Sequence, residues 1–364
     1  MKNIGLYLHI PFCRSKCPYC DFYSMRADES IKKRYVTVLK NRISAEMAEY
    51  GCKADTLYIG GGTPSVLGAD ALSEIVNFAK PFLTNNVEIT VECNPFGLDG
   101  DFFRVLNSSG VNRISMGLQS ANDEERRILG RLSNRETVKN AVLSAQKSGI
   151  ENISLDVMLG IPNQTEKSLR ETLDFCLSLC VPHISSYILK LEENTLFFKK
   201  QKELNLPDDD LVADMYLQVG EALKNNGIFQ YEISNYSKKG FESRHNLKYW
   251  HCEEYLGLGP SAHSFIGGKR FYFDRDLSAF LDSAHPIPDG SGGDFTEYAM
   301  LSLRLCEGLQ NEKTLKRFGH QIPNEIIKKS HKFIENGYMQ KTDNGLSLTR
   351  KGFLISNTIL SEIL

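Results

Sequence analysis

Apolar residues recur along this chain in two alternating patterns, short strand-length runs and longer segments of helical spacing. Residues 5–12 read as a first strand. Glu29–Tyr50 then places apolar side chains at helical intervals, and residues 55–59 read as a second strand running into Gly60, Gly61, Gly62, Thr63 and Pro64. Further strands are expected at 87–93, 113–118, 153–158 and 183–189, separated by amphipathic segments such as 70–82, 134–148 and 166–179. Six strands alternating with helices imply a parallel sheet with right-handed crossovers.

That alternation suits both an open doubly wound sheet and a barrel, and the placement of polar residues favours the barrel. Polar or glycine-rich groups follow nearly every strand: a cysteine loop after the first, the glycines after the second, then Glu92 with Asn94, Gln119 with Ser120, and Asp156 with Gly160. Barrel enzymes collect their chemistry at one rim in this way, whereas an open sheet concentrates it at a switch point. The expected fold is α/β, a partial (β/α)6 barrel.

The pattern changes near Pro207. A helix is expected at 209–225, then a segment alternating like a strand at 229–236, then a stretch containing His245, Tyr249 and Trp250, the only Trp of the chain. From residue 294 on, helices around 296–305 and 325–336 precede two short strands over 337–349, turning at Asp343, Asn344 and Gly345. Helices before a hairpin suggest a winged-helix-like α+β unit. We divide the chain into a core at 1–225, an extension at 226–290 and a C-terminal unit at 291–364.

Charge removes one class of function. The 43 Lys and Arg nearly balance the 45 Asp and Glu, a formal charge of −2, so nothing drives bulk binding to nucleic acid. The winged-helix-like unit has no basic recognition stripe and reads as a lid or docking surface. Neither a secretory leader nor a run of membrane-spanning length is evident, so a cytoplasmic location is expected.

Cys13, Cys17 and Cys20 carry the candidate chemistry. The spacing C-x3-C-x2-C can turn three thiolates toward a 4Fe-4S cube, leaving one iron open to a cofactor. Arg14 and Lys16 between them should favour thiolate. Zinc would also accept these cysteines but wants four ligands, and a disulfide would strand one of the three. Cys52, Cys93, Cys176, Cys180, Cys252 and Cys306 lie in apolar surroundings and read as structural, with Cys176 and Cys180 one turn apart on an expected helix.

The cysteine loop after a first strand is the signature of the radical S-adenosylmethionine (SAM) proteins. The residues around it, Tyr7 to Phe12 and Pro18 to Phe22, resemble the branch containing oxygen-independent coproporphyrinogen dehydrogenase and the heme chaperones. The resemblance covers nearly the whole chain. It implies that the open iron chelates SAM, that Tyr7, Gly61 and Glu92 line this SAM, and that Tyr19, Gly62, Thr63, Gln119, Arg131 and Asp156 match positions touching a second one. His245, Asn246, Tyr249 and Trp250 are similar to the H-N-x-x-Y-W motif of the chaperone branch, which implies an imidazole for heme iron and flat rings over the macrocycle. Read as residues alone, the same group suits a buried hydrogen-bonded patch better.

Two departures separate the branches. The dehydrogenase pattern has a further cysteine where this chain has Phe22, and an N-terminal arm where this chain starts four residues before Gly5. Both point to a heme chaperone without coproporphyrinogen dehydrogenase activity. Its implied partners are heme and a heme-accepting respiratory enzyme reached by peripheral membrane contact, with a homodimer also in view. Oxidative decarboxylation of coproporphyrinogen III is the alternative.

Overall fold

The computed structural model describes residues 3–364, leaving the first two residues of the 1–225 core outside the description. Six strands form in order: β1 (Asn3–Ile10), β2 (Lys53–Gly61), β3 (Leu83–Cys93), β4 (Arg113–Gln119), β5 (Asn152–Leu159) and β6 (His183–Ile188). They lie side by side in sequence order, all parallel. A doubly wound sheet would reverse its strand order at a switch point, so this order settles the barrel-type winding.

The helices pack on the outer face because each strand offers apolar residues there at every second position. In β1, Ile4, Leu6, Leu8 and Ile10 are buried outward, against Tyr35, Val36 and Leu39 of the helix Glu29–Tyr50 among others. That helix starts where Asp28 accepts from the Ile31 amide and stops at Gly51 in the left-handed region. Elsewhere the expected ends move for local reasons. Pro81 has no amide hydrogen, and the helix Ala69–Ala79 gives way to a short 3-10 turn at Lys80–Phe82. The helix Glu166–Ser178 ends before Cys180, which has positive φ and is exposed, so Cys180 is neither on that helix nor among apolar neighbours as expected.

Residues 226–291 extend both edges of the sheet. The expected strand at 229–236 is instead a tight hairpin of β7 (Phe229–Gln230) and β8 (Asn235–Ser237), antiparallel to each other, with β8 antiparallel to β6. Buried Glu232 makes the turn by accepting from the Ser234 amide at 3.2 Å and from the Asn235 side chain. At the other edge β9 (Tyr255–Leu258) runs parallel to β1, followed outward by β10 (His263–Ile266), β11 (Lys269–Tyr272) and β12 (Ile287–Ser291).

The C-terminal unit carries helices Phe295–Ser302, Asn311–Phe318 and Asn324–Glu335 and a three-stranded sheet. In that sheet β15 (Gly345–Leu348) lies between β13 (Leu309–Gln310) and β14 (Met339–Thr342). Two further helices, Arg350–Leu354 and Ser356–Ile363, close the unit. Among the described residues no helix is long and apolar enough to cross a membrane.

Candidate functional site

The cysteine loop leaves β1 and is clipped at its base. The Cys13 amide donates to the Met25 carbonyl and the Met25 amide to the Pro11 carbonyl, both at 2.9 Å. A closed loop of this kind is packed by its own side chains. Cys13, Cys17 and Cys20, all half-buried, line one cavity of about 400 Å³ at the C-terminal ends of the parallel strands. Cys13 Sγ lies 3.3 Å from Thr63 Oγ1, and Arg131 Nη1 donates to Cys17 Sγ at 3.8 Å. Burial pushes the Cys20 thiol up, and Lys16, expected to favour thiolate, pulls it down by less.

Among the described residues no three His, Cys, Asp or Glu groups close on a single metal ion. In a three-ligand cluster each cysteine holds a different iron at a different corner. One cavity lined by three thiols, two arginines, a lysine and two carboxylates fits a 4Fe-4S cluster with SAM.

The same cavity gathers Tyr19, Gly61, Gly62, Thr63, Glu92, Gln119, Arg131 and Asp156. Glu92 ends β3 with one oxygen accepting from Tyr58 Oη at 2.8 Å and the other from the Gly61 amide at 3.1 Å. Burial, more than neighbouring Asp156, pushes its carboxyl up to about 7. Asp156 accepts from Ser115 Oγ at 3.2 Å, and burial raises it as well, against Arg113 and Arg131. Arg131 crosses the end of β4 to donate from Nη2 to the Gly117 carbonyl at 2.9 Å; a Cβ at Gly117 would sit 2.2 Å from that nitrogen. Gln119, beside a bulge between β4 and β5, has φ of 71°, a left-handed conformation uncommon for a non-glycine residue.

Packing gives the glycine run a reason beside the ligand contact expected of Gly61 and Gly62, both of which line the cavity. Gly61 has φ of 111°, and a Cβ there would lie 2.7 Å from the His9 ring. The glycines let the end of β2 pack against the end of β1, where Gly61 pairs with Ile10, and the Gly61 amide donates to Glu92.

Tyr7 and His245 do not line the cavity. Tyr7 lies one layer below, its hydroxyl 3.0 Å from His9 Nδ1. His245 lies deeper, on the helix Arg244–Trp250, and is 1% exposed. Its Nδ1 is 2.8 Å from Thr56 Oγ1, its Nε2 is 2.8 Å from Tyr249 Oη, and its ring stacks on Tyr58 at 5.2 Å. Burial lowers it to about 3, with Lys248 and Arg113 adding to the effect. Both nitrogens of the imidazole expected for heme iron are thus engaged within the protein.

Sequence reasoning passed over Tyr58, Ser115 and Tyr187, which hold or line the site, and Thr56 and Glu88 beneath it. A signal was present, since Glu88, Thr90 and Glu92, or Ser154 and Asp156, place polar groups at every second position of otherwise buried strands.

The model of the radical SAM superfamily matches residues 7–176, and that of the HemN C-terminal domain matches 295–355. The heme chaperone HemW of Bacillus subtilis is 32% identical over 98% of both chains. That of Escherichia coli is 32% identical over 100% of this chain and 99% of its own. Among solved structures, the coproporphyrinogen III oxidase HemN of Escherichia coli, described as a radical SAM enzyme, superposes with a TM-score of 0.85. It is 20% identical, covering 99% of this chain and 90% of its own.

Proposed function

The chain belongs to the HemW family of the radical SAM superfamily, and from that premise we propose that it holds heme and passes it to a membrane respiratory enzyme. The observation that carries this reading is the cavity itself. It has the three thiols of a radical SAM protein, yet Phe22, 66% exposed, stands in its lining where the dehydrogenase pattern has another cysteine.

Cys13, Cys17 and Cys20 would hold the 4Fe-4S cluster. Glu92 would take the amino group of SAM, and Asp156 and Arg131 would offer further polar contacts to the cofactor. A 4Fe-4S cluster with an open iron supplies a chelation point for SAM and an electron. The protein's share is to orient and shield. Tyr58 and the Gly61 amide fix both oxygens of Glu92, and Arg131 is braced between Gly117 and Cys17.

The test is anaerobic reconstitution followed by separate additions of heme and of coproporphyrinogen with SAM and reductant. A Soret band that titrates with protein, and no carbon dioxide, are expected. SAM-dependent decarboxylation would overturn the reading in favour of the dehydrogenase.

A further inference from the structure

Four of the eleven large apolar side chains exposed among the described residues line this one cavity: Phe22, Phe96, Leu132 and Tyr187. Scattered exposed apolar residues are ordinary, but a group gathered about one opening marks a binding surface. The four come from separate segments, the cysteine loop, the turn after β3, the loop before the helix Arg135–Lys147, and β6. Phe22 is 66% and Leu132 54% exposed, so the ring they form faces outward.

Besides Arg131, two cations of the cysteine loop stand in the same lining. The Arg14 guanidinium lies 5.3 Å from the Phe96 ring centre, and Lys16 Nζ donates to the Phe22 carbonyl at 3.3 Å. Neither has a carboxylate partner among the described residues. The carboxylate nearest in sequence, Asp21, is directed at Arg275 instead, 3.4 Å away. An apolar rim with two cations that lack carboxylate partners complements a flat apolar ligand that bears carboxylates on its edge.

We propose that heme lies across the barrel mouth, its macrocycle on Phe22, Phe96, Leu132 and Tyr187 and its propionates toward Arg14 and Lys16. The inference rests on the heme-holding reading above and adds where the cargo sits and what grips it. A cavity of about 400 Å³ is at the small end for ligand pockets, and with a cluster and SAM inside, a macrocycle is left with the rim. The grip is by stacking and charge, independent of the enclosed His245.

The test compares ferric protoporphyrin IX with its dimethyl ester by anaerobic Soret titration, with iron content measured for each protein. The ester should bind the unaltered protein at least tenfold more weakly than the free acid. The double variant Arg14→Gln, Lys16→Gln should weaken the acid by a similar factor and leave the ester unaffected. Leu132→Asp should weaken both. Equal binding of acid and ester by the unaltered protein would overturn the rim site while leaving the heme-holding function in place. An unaltered protein that binds neither would overturn both.

Discussion

At the mouth of the barrel, Glu92, Asp156, Arg131 and three thiols open onto a cavity. Two or four residues earlier on the same strands, Glu88, Ser154 and His183 are enclosed and bonded within the protein. Glu88 accepts from the Arg244 and His245 amides at 3.1 Å each, and Ser154 Oγ lies 2.7 Å from His183 Nδ1. Arg113 and Thr90 depart from this in the floor, with Arg113 Nε and Nη1 and Thr90 Oγ1 buried and unpartnered. Polar residues inside a barrel thus serve two ends: groups at the mouth, though bonded in part within the protein, face a cavity that a ligand can enter, and groups at the floor are closed off and tie the strands together.

The comparison breaks most completely at the cysteines. Changing Cys13, Cys17 and Cys20 together to Ser should abolish iron and sulfide in the reconstituted protein, since the other cysteines lack cluster spacing; full iron content would remove the cluster from the mouth. Next in size, Glu92→Ala should weaken SAM binding by roughly a hundredfold in calorimetric titration, as expected for loss of a buried charge-assisted contact. Unchanged affinity would mean that Glu92 only braces Tyr58 and Gly61.

At the floor the effect should fall on stability. His245→Ala removes two buried hydrogen bonds and a packed ring, and should cost about 2–3 kcal/mol in denaturant unfolding. Heme affinity should stay within a few-fold, and a complete loss of heme binding in a folded variant would restore His245 as ligand.

The same ring gives the floor a pH signature. His245 is lowered from 6.5 to about 3 when folded, so the unfolded chain takes up its proton first, and stability falls as pH drops through 6.5 toward 3. Its neighbours Lys248 and Arg113 add repulsion on protonation. Each pKa unit is worth about 1.4 kcal/mol. The difference in unfolding free energy between His245→Asn and the unaltered protein should therefore narrow across that window. A constant difference would place the ring in contact with solvent. Smallest of all, Cys180→Ser should change stability by less than about 0.5 kcal/mol, being an exposed residue outside both ends.

Much of the chain was readable in advance because its signals are local. Apolar periodicity located the six parallel strands and the helix Glu29–Tyr50 to its ends, since Asp28 and Gly51 cap it through contacts a few residues long. The cysteine spacing marked the cluster loop, and the resemblance brought Glu92, Asp156 and Arg131 into one group. Three-dimensional packing decided the rest. Glu232 folds an alternating segment into a hairpin; the His9 ring, fifty-two residues from Gly61, explains the glycine. His245 looks in sequence like a ligand beside two aromatic residues. It becomes a floor residue because its partners Thr56 and Glu88 arrive from strands more than 150 positions away. A side chain's chemistry is written in its residue type, but whether its polar atoms are spent or free depends on what the fold brings beside them.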